Sequence, residues 1–372
     1  MSDKAGRYSR IKYALAVIDT VYLLALLVLL LRSGFSAWLA AGASAFIKAN
    51  GFVFPAYLLA LFILSSVATF PLNFYRTFIL EHKFNLTEQK FSAWLTDQLK
   101  TGVLSYIIGV ILFSAFYNIV NRNPHAWWFI VAVSWVIFSL IVAKLLPVMI
   151  IPLFFKYKRL EDPALREKVA GLAEKMRIKI MDVFEIDFSK KTLKANAAFV
   201  GWGKTRRVIL ADTLKDKYSC DEIEAILAHE FAHYRMKHLL KLVLINAAAT
   251  FLLFYLISIS SAYCLGLFGL ISLKDIATFP LIIMYMTAFG IIMQPLDNSL
   301  SRHFEKDADL AALKATGNKE AFISMMNKLS DQNLADRNPH PLVKFFFFDH
   351  PPTSERIAVA MSYDLKGAAA DG

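Results

Sequence analysis

Cysteine is nearly absent: Cys220 and Cys264 are the only two in 372 residues. That leaves no disulfide framework and no thiolate metal site to organise the fold. Acidic residues are also in short supply, 30 Asp and Glu against 41 Lys and Arg, for a net charge of +11. No motif for reading RNA or DNA accompanies this excess, and the basic residues are scattered beside apolar segments. Nucleic acid is therefore not an expected partner; basic flanks facing an anionic leaflet account for the charge. There is no internal repeat and no low-complexity tract. No small-residue cleavage site follows the first apolar run, which reads as a retained span rather than a removed signal.

What the chain has in abundance is apolar surface. Hydrophobic residues make up 57%, and they are gathered into runs. Six runs reach the roughly 20 residues that cross a bilayer: 13–31, 54–74, 102–121, 127–150, 240–264 and 276–297. A shorter Ala- and Gly-rich stretch, 36–47, reads as a re-entrant or interfacial piece. Six spans put both termini on one side with the loops 75–101 and 151–239. That side carries Lys4, Arg7, Arg10, Lys12, Arg76, Lys83, Lys90, Lys100, Lys156, Lys158 and Arg159, whereas the other carries only Arg32, Lys48, Arg122 and Lys274. The positive-inside rule makes the first side cytoplasmic. Asp19 and Lys144 fall inside spans near their ends, where a structural role is expected. The chain divides into a four-span region (1–155), a polar region (156–238), two further spans (239–297) and a polar C-terminal region (298–372).

The polar region holds H-E-x-x-H at 229–233. On a helix, His229 and His233 share one face and their imidazoles can converge on one metal ion. With a carboxylate from elsewhere they make a three-ligand zinc site whose fourth position takes water, and Glu230 stands ready to accept that water's proton. Ser219 followed by Glu222 is a capping box that starts the helix. Upstream, 162–178 has helical spacing (Leu165, Val169, Leu172, Met176), and 180–187, 195–200 and 206–211 read as short strands, the last two separated by Gly201, Trp202 and Gly203. Such a sheet edge beside the motif helix lets an extended peptide add as a strand.

After the sixth span, Glu305 and Asp309 share a helical face; Glu305 can be the third ligand and Asp309 can hydrogen-bond a ligand histidine. A helix is expected near 318–331. The tail holds four phenylalanines (345–348), expected to pack on the membrane or the spans, and a DHPP run at 349–352. His350, or Arg356 one turn into the next helix, could polarise a substrate carbonyl. His82, His125, His238, His303 and His340 have no comparable setting and read as surface or packing residues.

These pieces in this order resemble the type I CAAX prenyl endopeptidases, integral-membrane zinc metalloproteases. The resemblance rests on NFYRTF at 73–78, EHKFN at 81–85, IPLFF at 151–155 and NAAFVG at 196–201. It continues through RVILADTL at 207–214, HEFAH at 229–233, Ser301, Arg302, Glu305, Ala308 and Asp309, and HPP at 350–352. It implies a mostly α polytopic protein: a transmembrane helical barrel around a chamber, with a zincin-like helix and small β-sheet at the cytosolic end. It also implies one zinc held by His229, His233 and Glu305, with Glu230 as base and acid. Asn196 and Ala197 would lie on the substrate strand, and His350 and Arg356 near the scissile carbonyl. The implied substrate is a peptide or protein, prenylated or membrane-embedded, and the site is a bacterial inner membrane or the endoplasmic reticulum. Two departures stand out: six long spans where the family is usually described with seven, and His303 where the family has a basic residue. A heat-shock-type membrane zinc endopeptidase is the alternative enzyme, and a non-catalytic scaffold with structural zinc the alternative of another class.

Overall fold

The computed structural model describes residues 2–180, 182–201, 206–215 and 217–363. Trp202 and Gly203, expected between two strands, and Met181, expected within one, lie outside the described residues. The chain starts with α1 (Ser2–Arg32), α2 (Phe35–Phe46) and α3 (Asn50–Phe74). A wide turn, in which Leu80 N–H reaches back to Tyr75 O, leads from α3 into α4 (Leu80–Lys83). Next come α5 (Phe91–Arg122) and α6 (Trp127–Leu145), and a second wide turn at Pro147 leads into α7 (Ile151–Phe154).

All six expected spans fall inside helices long and apolar enough to cross a membrane. Within their most apolar windows only 11% to 28% of residues are buried. Val21, Leu29, Val67 and Ile259 stand exposed, which is stable only when the surrounding solvent is hydrocarbon. Helix α2, at about 18 Å, is too short to cross alone. Its Ser36 hydroxyl is buried between Tyr57 Oη and Ala277 O, each at 2.7 Å. Asp19 pairs with Arg76, an ion pair joining α1 to the turn after α3, and Lys144 is exposed.

The polar region begins with β1 (Tyr157–Arg159), α8 (Pro163–Lys175), β2 (Asp182–Ile186), β3 (Ala197–Val200) and β4 (Arg207–Ala211). The sheet order is β1-β2-β4-β3, with β2 parallel to β4 and the outer pairs antiparallel. Strand β3 therefore has one partner and one free edge among the described residues. A short α9 (Asp212–Lys215) precedes α10 (Cys220–Arg235), which begins at the expected box: Ser219 Oγ accepts from Glu222 N at 3.3 Å and Glu222 Oε2 accepts from Ser219 N at 2.7 Å. Its apolar face, Ile223, Leu227, Phe231 and Ala232, packs into one core with Leu165, Val169, Leu172, Val208, Leu210 and Phe322. The spans have their own core around Tyr57, Phe116, Phe254 and Leu281.

Helix α11 (His238–Leu267) returns the chain through the bilayer, and α12 (Phe279–Thr316) crosses again and runs on for several turns beyond its apolar half. The chain closes with α13 (Lys319–Gln332), α14 (Pro341–Phe347) and α15 (Thr353–Ser362). Phe347 and Phe348 lie against Tyr13 of α1.

Candidate metal centre

The ligand triad draws on two features of the fold. The i, i+4 spacing on α10 sets His229 and His233 side by side, ring centroids 4.7 Å apart. The polar end of α12 lies against α10 and brings Glu305 between them: His229 Nε2 is 3.2 Å from Glu305 Oε2, and His233 Nε2 is 3.1 Å from Glu305 Oε1. All three ligand atoms lie within 4.8 Å of one another.

The donor set fits a bound cation. Glu305 Oε2 is buried without a hydrogen bond; His229 Nε2 is near it but misaligned. The two Nε2 atoms are 3.1 Å apart, a spacing at which they can share one proton or one metal but cannot both keep protons. Burial opposes a charge on His229, yet the Asp309 and Glu305 carboxylates beside it outweigh burial and pull its pKa up to about 9. The pocket thus draws positive charge, and two imidazoles with a carboxylate suit a transition metal.

Asp309 accepts from His229 Nδ1 at 2.9 Å and is 1% exposed, which fixes the ring with Nε2 toward the centre. Arg356 clamps the same carboxylate, Nε donating to Oδ2 at 2.7 Å and a terminal nitrogen to Oδ1 at 2.5 Å. A guanidinium nitrogen also lies 3.8 Å from Glu305 Oε2. His350 is half exposed; its Nε2 stands 3.3 Å from Glu305 Oε1, and its Nδ1 bonds Asp349 at 2.8 Å. Burial works against a charge on His350, but Asp349 and Glu305 prevail and raise its pKa. Burial likewise raises the Glu230 carboxyl above its ordinary range, with His229 and His233 opposing.

One cavity of about 210 Å³ collects Asn196, Ala197, His229, Glu230, His350 and Arg356 in its lining, with Leu214, Ile226, Met325 and Leu329 behind them. Every residue singled out in the sequence thus lies in the triad, on this wall or, for Asp309, directly behind His229. Asn196 precedes β3; its carbonyl accepts from Ala211 N at 3.0 Å. Two contributors escaped the sequence. Asn333, past the end of α13, brackets Ala195 at the approach to β3: its Oδ1 accepts from Ala195 N at 2.9 Å and its Nδ2 donates to Ala195 O at 3.4 Å. His238 is buried with its Nδ1 3.0 Å from His233 Nδ1. Five residues from His233, it lies off any continuous helical face, so its spacing gave no signal.

Known proteins share this fold. Residues 2–156 match the family model described as the CAAX prenyl protease N-terminal region with five membrane helices, and residues 159–364 match that of peptidase family M48. Within the first stretch this chain has four helices long and apolar enough to cross a membrane and the shorter apolar α2. CAAX prenyl protease 1 of Saccharomyces cerevisiae is 32% identical over 322 residues, 81% of this chain and 70% of its own length. The uncharacterized metalloprotease YhfN of Bacillus subtilis is 30% identical over 362 residues, 95% and 84% of the two chains. The crystal structure of S. mikatae Ste24p superposes with a TM-score of 0.87 at 27% identity, covering 97% of this chain and 88% of that one. With family models covering nearly the whole chain and a metal-binding triad at its helical seam, this protein belongs to peptidase family M48, as a multi-pass membrane metallopeptidase that hydrolyses peptide bonds.

Proposed function

We propose that the metal is zinc and that the enzyme cuts prenylated or otherwise membrane-associated polypeptides on the cytoplasmic side of its membrane. The observation that carries this reading is the convergence of the triad, Glu230 and the free edge of β3 on one cavity. Zinc held by His229, His233 and Glu305 would supply Lewis acidity toward a carbonyl and acidify a water. Ala197 offers backbone groups and Asn196 its side-chain amide to an extended substrate, which orients its scissile bond along the sheet edge. Glu230, its basicity raised by burial, takes the attacking water's proton and returns it to the leaving amine. His350 faces the open side of the triad and can donate to the oxyanion; Arg356 has committed two nitrogens to Asp309 and acts mainly by holding that carboxylate. Residues 1–155 and 239–297 form the membrane frame, and 156–238 and 298–372 bring the catalytic groups to it.

The prenyl-protease reading is favoured over the heat-shock type by the match of residues 2–156 and by the relatives named CAAX prenyl protease. A structural zinc would need a fourth protein ligand, and among the described residues only three converge. The test compares wild type with Glu230→Gln on a prenylated CAAX peptide and on an unprenylated membrane-protein peptide. Wild type should cut the prenylated peptide preferentially; the variant should keep its zinc and lose turnover at least ~100-fold. Undiminished turnover by the variant refutes the mechanism, equal cleavage of both peptides refutes the preference for prenylated substrates, and cleavage of neither refutes the substrate class.

A further inference from the structure

Packing alone does not account for His238. It is 1% exposed, its ring stacks on Phe304 at 4.4 Å and 10°, and its Nε2 is buried without a hydrogen-bond partner. A phenylalanine or leucine could fill this site without leaving a buried polar atom unpaired, which is destabilising. The chain also adopts an unfavourable conformation to put the residue here: Lys237 sits at φ 56°, ψ 34°, the left-handed region, between the end of α10 and the start of α11. That reversal folds His238 back onto the helix it has just left.

We propose that His238 is the positioning residue for the ligand His233, as Asp309 is for His229; the inference rests on the metal-centre reading above. When His233 offers Nε2 to a metal, its proton must reside on Nδ1. The group placed to receive that proton's hydrogen bond is His238 Nδ1, at 3.0 Å. His238 is then neutral, with its own proton on the unpartnered Nε2. Phe304, beside Glu305 in sequence, holds the His238 ring flat, so the third ligand's own turn fixes the second ligand's partner. The two ligand histidines are consequently unequal. A carboxylate acceptor on His229 makes its imidazole the stronger donor, and a neutral acceptor leaves His233 the more weakly held.

Two variants separate positioning from packing. His238→Phe keeps an aromatic ring on Phe304 and removes the acceptor; His238→Asn keeps an acceptor near the Nδ1 position and removes the ring. Zinc affinity is read by chelator competition in detergent, and fold stability by thermal melting of the metal-free protein. Positioning predicts that the phenylalanine variant binds zinc ~10–100-fold more weakly with no loss of melting temperature, while the asparagine variant melts lower yet keeps its affinity within about threefold. A packing role predicts the same melting behaviour with the affinities exchanged, normal in the phenylalanine variant and weakened in the asparagine variant, and normal affinity in the phenylalanine variant overturns the proposal. Should that variant fail to fold, cobalt-loaded wild type provides the check. Two slowly exchanging, paramagnetically shifted ligand N–H protons are expected, with the His233 proton kept in His238→Asn; one such proton overturns the inference. Wild type that takes up neither metal overturns the metal-centre reading itself.

Discussion

Asp309 has two dependants, and Asp309→Asn separates them. One oxygen accepts the His229 Nδ1 proton, and both face Arg356. An asparagine has one acceptor and one donor group in place of two acceptors. If its oxygen stays on His229, the amide NH₂ meets the Arg356 Nε–H, donor against donor. If it flips, NH₂ faces His229 Nδ1 and selects the tautomer whose Nε2 is protonated and closed to a metal. Loss of such a support lowers metal affinity ~10–100-fold, about 1.4–2.8 kcal/mol at ~1.4 kcal/mol per tenfold. The second loss falls on folding: Arg356 is left buried with Glu305, 3.8 Å away, and the more remote Glu230 as counter-charges, and breaking a buried pair costs ~3–5 kcal/mol. The nearby Glu305 places the expectation at the low end, about 3 kcal/mol. Chelator competition reads the first effect and melting of the metal-free protein the second. Adding Arg356→Met to Asp309→Asn should restore most of the melting temperature and none of the affinity. Wild-type zinc affinity in Asp309→Asn would refute the assigned hydrogen bond, and rescue of both quantities by the double variant would show that the two roles are one.

Further outcomes follow from other parts of the fold. Glu222 accepts from Ser219 N, Ser324 Oγ and Lys328 Nζ. Burial works to raise its pKa, but the bonds to Lys328, Ser324 and Ser219 leave it lowered. A depressed carboxylate stabilises the fold fully above its unfolded pKa of ~4.3 and progressively less as pH falls through the folded value. Glu222→Ala should therefore lower the melting temperature at pH 7 by the equivalent of about 2–3 kcal/mol, with a smaller gap from wild type below pH 4; a pH-independent gap would count against this. Asn333→Leu releases Ala195 ahead of β3 and should raise KM several-fold with kcat nearly unchanged, as loss of uniform binding does; an unchanged KM would remove Asn333 from the substrate wall.

Much of this molecule was legible in its sequence because short-range patterns determine it. Hydropathy alone marked the six spans, and the capping box marked the first turn of α10. Four-residue spacings placed His229 with His233 and Glu305 with Asp309 on common faces. What escaped depends on breaks and long-range pairing. Strand β1 is three residues, Tyr157–Arg159, too short and basic for alternation to reveal, and it exists because Tyr157 and Arg159 find β2. His238 was left among surface and packing residues because a helix rule says that positions five apart diverge; the left-handed Lys237 cancels that rule. Asn333 meets Ala195 across 138 residues, and no local pattern reports such a contact.

The triad also carries a timetable. His229 and His233 are made before α11, and Glu305 arrives only near the far end of α12. A nascent chain with four or five spans threaded holds two ligands and no third, so its metal grip is that of an incomplete chelate. Proteolytic competence is thereby tied to finished insertion: the peptidase cannot switch on inside the translocation machinery that is still delivering it. A chain ended after α11 should retain both histidines and hold zinc far more weakly than the full protein, and tight binding by such a fragment would remove this safeguard from the account.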